Sequence, residues 1–181
     1  ACAAIRQLEG KYGFPKVEFA AVGEETFSIP SPTEDVILQN AHILKHALGW
    51  GVGLRQLCDV ARLCHRRKEE VNGKEVEEVC RLAGITDWTS LLHSFLIDYM
   101  GMPEASLPFA TKHISSEPLL HRILRGGNFG QHRKDMDKAA SGPLKRKIHT
   151  ACSFAQNAAF ALRYAPGEGA RTFWTLLRGQ F

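Results

Sequence analysis

The densest chemistry in this sequence sits on two consecutive stretches. Asp35, Gln39, His42 and His46 follow the spacing i, i+4, i+7, i+11, and so do Arg55, Asp59, Arg62 and Arg66. On helices, that spacing puts each set on one side of its element. Two such stripes facing each other make a polar groove. Arg55 would meet a phosphate or carboxylate there through two parallel hydrogen bonds, and His42 or His46 would donate another. The same residues also fit a solvated face, with Arg55 and Asp59 as a surface ion pair worth about 0.3–0.5 kcal/mol. A third arrangement is a buried Arg55–Asp59 pair that orients the two helices.

Several other chemistries are poorly served. Two histidines four residues apart can hold one metal ion, but zinc protease chemistry needs a Glu directly after the first, and Ile43 stands there. No adjacent His-Asp pair and no P-loop pattern occurs, and no spacing indicates a Ser-His-Asp or Cys-His arrangement. Gly126-Gly127 followed by Asp135-Met136-Asp137 spells the glycine turn and paired acids of a nucleotidyltransferase. Carboxylates that hold two Mg²⁺ ions belong on a rigid apolar strand. These are flanked by Lys134 and Lys138 in a hydrophilic run, so the letters match and the physics does not.

The elements that must position the two stripes are mostly helical. Residues 17–29 read as two short strands around Gly23-Glu24, a hairpin that would extend a sheet elsewhere. Ser31-Pro32-Thr33-Glu34 is a capping box with Pro at the first helical position. The helix it opens has Ile37, Ala41, Leu44 and Leu48 as its apolar stripe and stops at Gly49. A second helix starts near Leu54, with Leu54, Leu57, Cys58, Ala61 and Cys64 facing one way, and frays at Arg66-Arg67-Lys68. About five residues join the pair, which makes it antiparallel.

Asn72-Gly73 reads as a turn, and a short helix over 74–83 stops at Gly84. Thr86 caps the next helix, with Leu91, Leu92, Phe95 and Tyr99 on its core face and Gly101 at its end. A Pro-bearing connection, a short helix over 117–125 and a glycine loop at 126–130 follow. Ser141-Gly142-Pro143 opens a long helix with Leu144, Ile148, Ala151, Ala155, Ala158 and Leu162 inward, broken at Pro166, and an amphipathic segment closes the chain. The expected fold is therefore mainly α: a bundle of about six helices behind a small N-terminal β-hairpin.

Composition narrows the class. Of the 181 residues, 44% are hydrophobic and 23% charged, the balance of an ordinary globular protein. No apolar run reaches the roughly 18 residues of a membrane span, and no signal-peptide pattern opens the chain. Five cysteines, an odd number without CxxC, read as reduced thiols of a cytoplasmic protein rather than a disulfide framework or zinc site. The first residue is Ala1 and not Met, which reads as a piece of a longer chain. Charge is uneven. Residues 1–117 hold 12 Lys/Arg against 16 Asp/Glu, whereas residues 118–181 hold 11 against 3. The basic third either complements the acidic first part or meets a partner or nucleic acid.

The run from Pro32 to Phe109 resembles the C-terminal half of a poorly characterised bacterial nucleotidyltransferase family of the polymerase-β-like superfamily. The resemblance is carried by His42-Ile43-Leu44-Lys45-His46, by Gly51-Val52-Gly53-Leu54-Arg55-Gln56-Leu57-Cys58-Asp59, by Gly101-Met102-Pro103 and by Leu107-Pro108-Phe109. Gly126-Gly127-Asn128-Phe129-Gly130 and Arg163-Tyr164-Ala165-Pro166 look like later family features.

The resemblance implies a parent protein that transfers a nucleotidyl group from an NTP to an unknown acceptor with Mg²⁺. Residues 1–30 would connect to an N-terminal catalytic sheet, the partner that carries the metal-binding acids, and 31–181 would form the helical C-terminal domain. This chain alone would then be inactive and hold no Mg²⁺. Arg55 would contact phosphate or orient the cleft, Asp59 would hold Arg55, and His42 and His46 would line the acceptor side. Two other readings stand beside it: a non-catalytic helical module with a basic C-terminal surface, and a metal-dependent hydrolase built on His42, His46 and Asp59.

Overall fold

Ser31 marks the change from strand to helix. Its hydroxyl accepts a hydrogen bond from the Glu34 amide at 3.4 Å, and its carbonyl accepts from Asp35 at 2.8 Å, so the chain enters its first helix already capped. The computed structural model describes residues 17–48, 51–126 and 158–167. The expected helix over 143–157, most of the glycine loop, Asp135 and Asp137, and the closing segment lie outside the described residues.

Before Ser31, β1 (Val17–Val22) and β2 (Glu25–Pro30) form the expected antiparallel hairpin, in register from Val22 opposite Glu25 to Val17 opposite Pro30. Gly23 takes φ +67° at the turn. Phe19 points to one face and Phe27 to the other, and they are 74% and 52% exposed. An ion pair of 3.3 Å between Glu18 and Arg67 ties the hairpin to the helices.

After Ser31 the described chain is mostly helical. α1 (Pro32–Leu48) runs to a short connector, and α2 (Leu54–Arg66) follows. Half of the capping box forms. The Glu34 side chain makes no return bond, and its buried Oε2 has no partner among the described residues. The apolar stripe of α1 also differs from the expected one. Val36, Asn40, Ile43, Leu44 and Ala47 are buried, Ala41 is exposed, and Ile37 and Leu48 are half-buried.

The cause is Asn40. Its carbonyl oxygen accepts from the Trp88 indole at 2.7 Å, and its amide donates to Thr89 Oγ1 at 2.9 Å. A polar residue so satisfied takes a core position and turns the helix about its axis. In α2 the buried set is Leu57, Val60 and Cys64, while Leu54 and Cys58, expected inside, are exposed. Burial pushes the Cys64 thiol up to about 12, so it packs as a small hydrophobe.

Asn72 is a cap and not a turn. Its side chain accepts from the Glu75 amide at 3.3 Å at the start of α3 (Gly73–Ala83), and its own amide donates to Thr33 Oγ1 of α1 at 2.9 Å. Gly84, at φ +69°, ends that helix. α4 (Thr86–Met100) is the centre of the bundle: every residue from Trp88 to Leu96 is buried. Ile85 rather than Thr86 holds the cap position, and no side chain caps it. Tyr99 is 48% exposed and tilted against Phe95 rather than buried on the core face.

The connection over 101–116 is fastened to α4 side chain by side chain. Ser94 Oγ accepts from the Ile114 amide at 3.0 Å, His93 shares a 3.2 Å hydrogen bond with Thr111, and Asp98 accepts from Ser116 and from His113. α5 (Glu117–Gly126) then closes the bundle, with Leu119 and Ile123 in the core. Residues 158–164 are helical and pack Phe160 and Tyr164 into the same core, whereas Leu162 faces out at 63% exposure, not inward. Arg122 of α5 joins these parts. It lies 4.1 Å over the Phe160 ring and donates to the Ala47 carbonyl in the last turn of α1. The mainly α bundle with its small hairpin is as the periodicities indicate.

Candidate functional site: a polar cleft between the first two helices

α1 and α2 bury their apolar faces in one core, which leaves their adjoining polar faces to meet at the surface. Between them opens a cleft of about 530 Å³. Asp35, Gln39 and His42 line it from α1, and Gln56, Asp59, Arg62 and Arg66 from α2. Ile43 and Leu63 supply its apolar part, and Arg67 stands just beyond the end of α2. Residues early in α1 meet residues late in α2, as an antiparallel pair requires.

Six of the eight residues in the two sequence stripes thus line one cleft. His46 and Arg55 do not. Both belong to the end of the helix pair nearest the connector. The Arg55 side chain is 89% exposed and lies 3.9 Å from Asp59, itself 58% exposed. That is the weak surface pair of the solvated reading and contributes a few tenths of a kcal/mol. The buried Arg55–Asp59 pair is not what the structure shows. His42 and His46 meet edge to face with ring centroids 4.5 Å apart. Burial, and then the neighbouring His42 and Lys45 charges, hold His46 below the usual histidine range.

The charges within the cleft are differently committed. Asp35 accepts from the Gln39 amide at 3.1 Å. Arg67 is held charged by Glu70 first and by Glu18 second. Arg62 and Arg66 have no ion-pair partner among the described residues, which makes them the available cations. Gln56 and Arg67 escaped the stripe pattern. Gln56 also serves the local fold, accepting from the Gly53 amide at 3.1 Å to start α2. Arg67 stands at the helix end, outside the helical stripe, with φ −108° and ψ 19°.

Asp35 and Asp59 do not make a divalent-metal site. Each is hydrogen-bonded or paired elsewhere, and no group of three His, Cys, Asp or Glu is placed to hold a metal among the described residues. The hydrolase reading on His42, His46 and Asp59 gains nothing from this geometry. A second cavity of about 380 Å³, lined by Ser94, Ile97, Phe109, Thr111 and His113 among others, lies beside the 101–116 connection. Of its lining, His113 bonds the Asp98 carboxylate, which also accepts from Ser116, so that serine and histidine do not face each other as a nucleophile and its base do. Among the described residues no helix is long and apolar enough to cross a membrane. No family model matches the chain, and no match to it was found among curated proteins or solved structures.

Proposed function

We propose that this chain is the helical part of a nucleotidyl-transfer protein, with the α1–α2 cleft on the substrate side of the reaction. The observation that carries the reading is the convergence of Asp35, Gln39 and His42 with Asp59, Arg62 and Arg66 on one groove. The resemblance carried by the segments His42–His46 and Gly51–Asp59 supports it, because those segments supply His42 and Ile43 of one wall and Gln56 and Asp59 of the other. Phosphoryl and nucleotidyl transfer depend on positioning and on cations around the phosphates, and the α2 wall supplies such cations. The acids that hold Mg²⁺ would belong to a catalytic domain outside these residues, so no step through the metal is assigned to this chain. His42 lines the acceptor side of the cleft. Arg55 and His46 flank it.

Photolabelling of the full chain with 8-azido-ATP tests the reading. Label that ATP competes away should fall on peptides containing residues 35–42 or 56–67. Competable label confined to other peptides, or no label protected by ATP, would reject it.

A further inference from the structure

The two walls of the cleft differ in hydrogen-bonding character. On α1 the groups are acceptors or mixed: the Asp35 carboxylate, the Gln39 amide and the His42 ring. On α2 and just past it three guanidiniums, which only donate, outnumber the Asp59 carboxylate and the Gln56 amide, and Asp59 lies toward the connector end, 3.9 Å from Arg55. Arg67 is already committed to Glu70 and Glu18, whereas Arg62 and Arg66 have no acidic partner among the described residues. These two stand one helical turn apart, about 6 Å along the axis, close to the reach of a linear triphosphate. A simple anion would gain from the arginines of the second wall but meet the Asp35 carboxylate on the first. A ligand with phosphate at one end and hydroxyl or amino donors at the other satisfies both.

We propose that the cleft binds a nucleoside polyphosphate in one orientation, phosphates on Arg62 and Arg66 and the sugar hydroxyls or base amino group on Asp35 and Gln39. This rests on the nucleotide reading above and adds its polarity. It also moves the phosphate-binding role expected of Arg55 about two to three turns along the same face of α2, to the arginines that line the groove.

Calorimetric titration of the full chain with ATP, inorganic tripolyphosphate and adenosine distinguishes the parts. Arg62→Gln and Arg66→Gln should each weaken ATP and tripolyphosphate about tenfold, as loss of a charge-assisted contact requires. Asp35→Asn should weaken ATP severalfold and leave tripolyphosphate as tight or tighter. Arg81→Gln, which removes an equal charge from the remote surface of α3, should change neither, and circular dichroism confirms that each variant is folded. ATP bound equally well by the Arg62 and Arg66 variants would overturn the orientation while leaving the nucleotide reading intact. Tripolyphosphate binding without any advantage for ATP would overturn the nucleotide reading, the cleft then being a plain anion site. No binding of either would overturn both.

Discussion

His93 shows how burial sets the behaviour of a single residue. It is 4% exposed on α4, its ring lies 5.3 Å from that of Phe109, and burial pushes its pKa down to about 4. The unfolded chain takes up this proton near pH 6.5 and the folded chain does not until about pH 4. Between those values the unfolded state binds more protons, so the contribution is complete above pH 6.5 and is lost as pH falls toward 4. The loss amounts to roughly 3 kcal/mol at most, at 1.36 kcal/mol per unit. His93→Gln, which retains a partner for Thr111, should flatten urea-derived stability across pH 6.5–4. A variant with the same slope as the parent would remove His93 as the cause. Asp98 acts at lower pH: the Ser116 and then the His113 hydrogen bonds hold its carboxyl below the usual range. Nothing in the spacing of the histidines distinguishes His93 from the exposed ones, because its burial depends on Phe109 and Thr111 in a connection without periodicity.

Elements whose limits are set locally were legible, and those set by distant contacts were not. Ser31, Gly84 and Gly101 punctuate the helices as their chemistry dictates. Asn40, by contrast, enters the core only because Trp88 and Thr89 arrive from α4 to satisfy it. Gly73 belongs to the same group. A Cβ there would overlap the Pro108 carbonyl oxygen, so the start of α3 lies directly against the 101–116 connection. Gly73→Ala would favour the helix by local propensity, yet should destabilise the protein by about 1–3 kcal/mol because the backbones must separate. Chemical denaturation measures this, with Lys74→Ala as the neutral neighbour. A more stable Gly73→Ala variant would show that the connection yields freely. The cleft was legible for a related reason. Its residues obey the helical period on each wall, and a short connector pairs the walls. Arg67 and Gln56 fall outside that period, and the outward placement of Arg55 follows from where along the pair the groove opens.

At the scale of the molecule, a bundle centred on α4 carries a hairpin that packs little against it. Phe19 and Val22 are 74% and 69% exposed, and the strands show apolar side chains on both faces. A two-stranded hairpin is marginally stable alone, and strands apolar on both faces are usually covered on both. Native-state hydrogen exchange should therefore find β1 and β2 amides exchanging orders of magnitude faster than those of Trp88–Leu96. Equal protection would mean that the hairpin unfolds only with the bundle.

One cation joins this hairpin to the cleft. Arg67 lines the groove, yet its guanidinium is also what Glu18 of β1 holds. An anion that drew Arg67 inward would compete with the strand for the same charge. A filled groove and a tethered strand pair would then be mutually costly, and loosening of β1 would report occupancy.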